Sequence, residues 1–219
     1  MAGESSYGQP PPAFVPIAVP VVVIDHKFCA SYPVEVYIVE KRLLKITEGN
    51  LEVTDVNGNI IFKVKGKLVS LRDRRLLVDS FGNPIVSLQQ KILTAHRRWE
   101  VFRGDSNYSK DLLFSVKKSS LIQFKTELDI FLAANKKENV CDFKVKGSWL
   151  ERACTIYQGD SVVIAEMRKK HNLQSIVFDR DNFQICYCKC VLIMPLSWLY
   201  PGACLFHQHP QINKGGYRE

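Results

Sequence analysis

The length of the apolar runs between about residues 21 and 185 constrains the fold more than any other feature. Nearly every run is five to eight residues long and ends at Gly, Asn, Asp or Ser. The partial alternation in VEVYIVE (34–40), rich in β-branched and aromatic residues, is typical of a strand. No long stretch in this region combines helical periodicity with caps at both ends. Regular short strands joined by turns predict an all-β sandwich or a closed barrel.

Three segments carry hairpin signals. In LEVTDVNGNIIFKVKG, the pair Asn57-Gly58 separates two strands and predicts a type I′ turn. RLLVDSFGNPIVSLQQ repeats the arrangement with Gly82-Asn83-Pro84 at its turn, and RACTIYQGDSVVIAEMRKK turns near Gln158-Gly159-Asp160. These hairpins favour antiparallel pairing of strands that are neighbours in the sequence.

The pentapeptide FKVKG occurs twice, at 62–66 and at 143–147. A period of two places phenylalanine and valine on one face of a strand and both lysines on the other. The simplest interpretation is a half-buried strand with a solvated lysine face. The functional interpretation is a cationic surface for an anionic partner.

The overall charge supports an anionic partner without choosing one. The net charge is +8 and the isoelectric point is about 9.1, which favours nucleic acid or an acidic membrane surface. No helix-turn-helix or zinc-finger pattern is present, so we expect no sequence-specific nucleic acid as a partner. Acidic membrane lipids and unidentified proteins remain as expected partners.

Signals for an enzyme are weak. The sequence contains no GxSxG, HExxH, Walker or GxGxxG motif. A cysteine nucleophile, Cys141 or Cys154 with His96 or His171, stays open as an alternative, although buried inert cysteine is commoner. We predict no catalytic residues and no cofactor.

The cysteines also bear on metal binding and on the cellular compartment. Cys186, Cys188 and Cys190 are followed by Cys204, His207 and His209, but this spacing is not the CxxC pair of structural zinc sites, so we predict no metal. The number of cysteines, seven, is odd, and MAGESSYGQPPP does not resemble a signal peptide. The expected location is intracellular: cytoplasmic, membrane-peripheral or nuclear. The apolar segment 191–206 has 16 residues and two prolines, too short for a spanning helix.

Four motifs in order carry a family resemblance: TDVNGNIIFKVKG, LLVDSFGNPIVSL, RRWEVFRG and CDFKVKGSWLER. They resemble the motif series of the plant LURP-one-related family over about residues 21–185. That family is similar in fold to the C-terminal domain of tubby-like proteins and to phospholipid scramblases. The resemblance implies an all-β, closed antiparallel barrel of about twelve strands around a central C-terminal helix.

The C-terminal end departs from the family pattern. After DNFQ (181–184) the chain carries Pro195 and Pro201, and each proline would interrupt a helix at a cost of about 3 kcal/mol. We therefore expect the central helix to be altered or missing, as in an alternative splice product, and the barrel to be less stable. The predicted organisation is a disordered proline-rich leader at 1–20, the barrel domain at 21–190 and an irregular apolar tail at 191–219.

The resemblance implies a non-enzymatic role related to scramblases and to membrane-tethered tubby-like regulators of transcription, in plant defence. The residues add a candidate site for anionic lipid, and the resemblance to tubby-like domains implies phosphoinositides as its ligands. Its members are the four lysines of the repeated pentapeptide and an arginine pair: Lys63, Lys65, Lys144, Lys146, Arg97 and Arg98. Direct DNA binding stays as an alternative.

Overall fold

The computed structural model describes residues 22–29, 34–41, 50–66, 74–92, 98–120, 126–148, 153–169 and 182–187. Within these ranges there are twelve β-strands and two three-residue 3₁₀ helices, His26–Phe28 and Ser109–Asp111. The strands are β1 (Val34–Lys41), β2 (Asn50–Thr54), β3 (Ile60–Gly66), β4 (Arg75–Asp79), β5 (Pro84–Gln90), β6 (Trp99–Arg103), β7 (Leu112–Lys118), β8 (Thr126–Leu132), β9 (Phe143–Ser148), β10 (Ala153–Gln158), β11 (Val162–Lys169) and β12 (Asn182–Tyr187).

The strands form one closed antiparallel barrel in which sequence neighbours are also spatial neighbours. The first and last strands, β1 and β12, pair from Val34 opposite Tyr187 to Val39 opposite Asn182. This pairing leaves no open sheet edge among the described strands, and open edges are where sheets aggregate. The predicted all-β, closed antiparallel barrel of about twelve strands is confirmed. The leader (1–20), the tail (191–219) and the altered or missing central helix lie outside the described residues.

One face of the closed sheet forms the hydrophobic core. Strand alternation directs every second side chain inwards, and the largest of these inward side chains are almost fully buried. Fully burying one such side chain contributes about 1.5–3 kcal/mol. The fully buried side chains of largest volume are Phe114, Leu77, Leu88, Ile130, Ile156, Ile164, Val36 and Val53.

A short segment before β1 packs against this core. Ile24 is 8% exposed and belongs to the core cluster, and its carbonyl oxygen accepts a hydrogen bond of 2.6 Å from Arg103 Nη1. The ring of Phe28 lies 5.9 Å from that of Phe62, centroid to centroid. The segment therefore adds apolar contacts that the strands alone do not make.

Two hairpin turns are held by the same kind of aspartate side-chain hydrogen bonds, and the first of them is not the type I′ turn that the sequence predicts. Asp55 Oδ1 accepts the backbone N–H groups of Asn57 and Asn59, and Oδ2 accepts the Asn59 amide. Gly58 has φ +85°, whereas Asn57 does not have the positive φ that a type I′ turn requires. The aspartate holds Asn57 in an ordinary conformation, so only the glycine is left-handed. Asp79 and Asn83 repeat these contacts in the turn between β4 and β5.

Two longer connections fold back over the outer face of the barrel. Ser87 Oγ donates to the carbonyl oxygen of Ser106 at 2.6 Å, in the connection between β6 and β7. Arg98 binds Glu138, in the connection between β8 and β9. As a result Phe131, whose side chain lies outside the core cluster, is only 4% exposed. The outer surface is therefore covered on one side by loops, and this positions the sites below.

Candidate functional site

The two FKVKG segments form equivalent parts of strands β3 and β9. Phe62 and Val64 belong to or pack against the core, and so do the corresponding residues of β9, Phe143 and Val145. Alternation then directs all four lysines outwards, as predicted. Lys65 is exposed, whereas Lys63, Lys144 and Lys146 are half-buried.

The barrel places the two lysine pairs on opposite sides. Strands β3 and β9 are six positions apart in either direction around the twelve-stranded ring. The four lysines therefore cannot converge, and the structure does not bring the predicted candidates together as one surface. The repeated pentapeptide is therefore a strand sequence that occurs twice in the barrel, and its two copies do not form a single binding surface.

The lysines of β9 are already engaged with neighbouring side chains. Lys144 Nζ lies 3.0 Å from Asp160 Oδ1 and 3.7 Å from Asp129 Oδ1. The hydrogen bond that Lys144 donates to Asp160 and the charges of both aspartates raise the pKa of Lys144, although partial burial opposes this. Lys146 Nζ lies 5.0 Å from the centre of the Tyr157 ring, in a cation–π contact. This side of the barrel is charge-balanced.

The lysines of β3 have a different environment. Across the ladder Lys63 lies opposite Glu52 on β2 and Val78 on β4, and Lys65 lies opposite Leu76. Neither lysine has an ion-pair partner among the residues that the structure describes. The β3 pair is therefore the more available cationic group for a ligand in solution.

The arginine pair is divided between the described and undescribed parts of the chain. Arg97 lies outside the described residues. Arg98 makes two parallel hydrogen bonds to Glu138, of 2.5 Å from Nη1 to Oε1 and 2.6 Å from Nη2 to Oε2. These bonds hold the pKa of Glu138 below its usual range, with Lys117 adding to the effect. Arg98 thus anchors a loop, which competes with its predicted role in lipid binding.

That loop contains a group of residues that sequence reasoning missed. Glu138 has φ 51° and is the one non-glycine residue with positive φ in the described ranges. The connection it belongs to covers a depression of about 380 Å³ on the outer face of β7, β8 and β9. In the sequence, Lys136-Lys137 indicates only a charged turn. The partner that holds the loop, Arg98, is 40 positions away, so no local pattern points to it.

Comparison with known proteins identifies the family. The sequence profile described as LURP-one-related matches residues 35–186. The chain belongs to the LURP-one-related family. This confirms the resemblance read from the four motifs.

Individual LURP-one-related relatives cover most of the chain. It is 50% identical to Protein LURP-one-related 15 of Arabidopsis thaliana over 165 residues, 75% of this chain and 76% of that protein. It is 43% identical to Protein LURP1 of the same plant, over 78% of this chain and 83% of the relative. The crystal structure of an Arabidopsis thaliana protein matches with a TM-score of 0.64 and 39% identity, over 84% of this chain and 98% of that one.

Among the described cysteines of this LURP-one-related protein, the two candidates Cys141 and Cys154 do not have the environment of a nucleophile. Burial raises the pKa of Cys154 to about 12, because the side chain lies in the core at 5% exposure. Burial, together with the nearby charges of Asp129 and Asp160, also raises the pKa of Cys141. Reactive cysteines need the opposite shift. His96 and His171 lie outside the described residues.

Two other predictions concern metal ions and membrane spans. Among the described residues, no three His, Cys, Asp or Glu side chains are placed to hold a metal ion. Of the zinc alternative, only Cys186 lies in a described strand, β12. No helix within the described ranges is long and apolar enough to span a membrane.

Proposed function

We propose that this LURP-one-related protein is a non-enzymatic domain that binds anionic phospholipid at the membrane surface through the outer face of β3. The observation that carries the proposal is the contrast between the two copies of FKVKG. Lys144 is held between two carboxylates, whereas Lys63 and Lys65 have no ion-pair partner among the described residues. An anionic headgroup can bind the β3 lysines without first breaking an ion pair.

The sequence that follows β3 also carries basic residues. The segment that follows β3 contains Lys67 and Arg72, with Asp73 as its one acidic residue. A basic residue near an anionic membrane contributes about 1 kcal/mol, screened over a Debye length of about 8 Å at physiological salt. Two to four such residues give weak, peripheral and salt-sensitive binding. We further propose, on the resemblance to tubby-like proteins, that phosphoinositides are the preferred headgroups. On membership of the LURP-one-related family, we propose that the role lies in plant defence.

Co-sedimentation with vesicles tests the proposal. The full chain should bind phosphatidylcholine vesicles that contain a phosphoinositide and not phosphatidylcholine alone, and binding should fall at high salt. The double variant Lys63→Gln/Lys65→Gln should lose most of the binding, about thirtyfold for roughly 2 kcal/mol. The matched control is Lys144→Gln/Lys146→Gln, which removes the same charge from the same pentapeptide on the other side. Equal binding to both kinds of vesicle, or equal losses in the two double variants, would overturn the proposal.

A further inference from the structure

We propose that the depression beneath the β8–β9 connection binds a small zwitterion whose ammonium and oxyanion groups stand about 5 Å apart, as in an aminoalkyl phosphate or an ω-amino acid. This site is separate from the proposed lipid surface, because it lies on the opposite side of the barrel from β3. The depression of about 380 Å³ falls within the usual size range of small-molecule sites.

The charges that line the depression alternate across three strands. Lys117 on β7 lies opposite Asp129 on β8, which in turn lies opposite Lys144 on β9. Neighbouring strands are about 4.8 Å apart, so the backbone positions of this positive, negative, positive row stand at that spacing, and the flexible lysine side chains bring Lys144 Nζ to 3.7 Å from Asp129 Oδ1. Lys118, Glu138 and Asp160 complete the charged lining, and three lysines thus face three carboxylates.

The equal number of lysines and carboxylates in the lining favours a zwitterionic ligand over a simple anion or a simple cation. A simple anion would be attracted by the lysines but repelled by Asp129 and Asp160. A simple cation would be attracted by the two aspartates but repelled by the lysines. A ligand that carries both charges can place its oxyanion towards Lys117 and its ammonium towards Asp129. Matching the charge separation to the strand spacing satisfies both ends at once.

The lining groups retain capacity for such a ligand. Lys117 Nζ lies 3.4 Å from Glu138 Oε2, long for a hydrogen bond to a charged group, and an ammonium has three donors. The same ammonium lies 4.4 Å from the centre of the Phe131 ring, which forms an apolar floor. Asp129 Oδ1 accepts a hydrogen bond from Ser119 Oγ at 2.8 Å and lies 3.7 Å from Lys144 Nζ, whereas the side chain is 18% exposed and its second oxygen, Oδ2, can accept from a ligand ammonium.

The loop above the depression is held in a strained conformation. Glu138 has φ 51°, a conformation that side-chain-bearing residues rarely adopt, and Arg98 grips it with two hydrogen bonds. A strained backbone conformation persists only where surrounding contacts hold the residue in place, and such residues occur most often at ligand-binding and active sites. The hydrogen bonds from Arg98 keep Glu138, and with it Lys117, at the edge of the depression before any ligand binds.

The test is a titration of the full chain, followed by NMR amide shifts or calorimetry, with free phosphoethanolamine and 4-aminobutyrate as probes. Glycine is the mismatched control, because its two charged groups are adjacent. Both probes should bind about tenfold more tightly than glycine, with shifts in β7, β8 and the loop. No saturable binding at about 10 mM, or binding equal to that of glycine, would overturn the proposal.

Variants assign the binding to this depression. Lys117→Gln and Asp129→Asn should each weaken phosphoethanolamine binding by about tenfold, while Lys137→Gln, an exposed loop residue outside the lining, should not. Preserved amide dispersion shows that the variants remain folded, and unchanged binding in both folded pocket variants contradicts the site. Vesicles of phosphatidylethanolamine serve as a competitor. Competition assigns the bound group to a lipid headgroup, and its absence assigns it to a free solute.

Discussion

Glu138 shows how a single residue can fix a loop far from its own strands. Three cationic or polar groups from different parts of the chain hold it: Arg98 just before β6, Lys117 from β7 and Asn135 from its own loop. A non-glycine residue with positive φ costs about 1–3 kcal/mol. The bidentate pair with Arg98, whose donors form a rigid fork, offsets that cost.

Removing the charge of Glu138 should destabilise the barrel in a pH-dependent way. Arg98 lowers the pKa of Glu138 in the folded state. The ion pair therefore stabilises the folded protein fully at pH values above the pKa of an unfolded-state glutamate, about 4.3. It is lost as the pH falls through the lower, folded-state pKa. Glu138→Gln should therefore cost about 1 kcal/mol at neutral pH and progressively less on acidification. Urea unfolding of both proteins from about pH 7 to pH 3 measures this. A difference that does not depend on pH would contradict the ion pair's role.

Cys154 should be the slowest thiol to react among those described. With a pKa of about 12, roughly one molecule in ten thousand carries the thiolate at pH 8, and the side chain is buried. Labelling with a thiol reagent, followed by peptide mass spectrometry, should modify Cys154 only after the barrel unfolds. Fast labelling of Cys154 in the folded protein would revive the cysteine-nucleophile alternative.

The hairpins are the elements that the sequence predicts best, because their signals are local. Alternation and turn residues within a dozen positions are enough to place β2–β3, β4–β5 and β10–β11. The turn type was predicted wrongly because the side chain of Asp55 supplies hydrogen bonds that the pair Asn57-Gly58 alone does not indicate. The β8–β9 connection could not be predicted, because its fold depends on Arg98.

Gly58 provides a direct test of the corrected turn. An added Cβ would meet no atom within 4 Å, so the cost of Gly58→Ala is purely conformational, at about 1 kcal/mol. Gly58→Asn should cost less, because asparagine tolerates the left-handed region. Thermal or urea unfolding of the two variants gives the ranking. An alanine variant as stable as the parent would show that residue 58 does not hold φ +85° in solution.

At the scale of the whole molecule, closure of the barrel determines where the two copies of FKVKG lie relative to each other. The period of two predicts that each lysine pair faces solvent, but it cannot give the angle between two strands. Only the order of all twelve strands shows that β3 and β9 face opposite directions. The resemblance to a known family supplied the closed barrel, which local patterns alone left undecided between a barrel and a sandwich.

The surroundings of the lysines were equally beyond local patterns. Asp129 and Asp160 reach Lys144 from different elements, β8 and the turn between β10 and β11. Identical pentapeptides thus differ in their ion pairing because their neighbours across the sheet differ. Under the proposed function, only the β3 copy of FKVKG faces the membrane.

Paramagnetic broadening tests this claim most directly. The isotopically labelled full chain is mixed with phosphoinositide-containing vesicles, with and without a small fraction of lipid that carries a nitroxide on its headgroup. Amide signals of β2, β3 and β4 should broaden, while those of β8, β9 and β10 should keep their intensity. Equal broadening on both sides, or broadening centred on β9, would contradict the account.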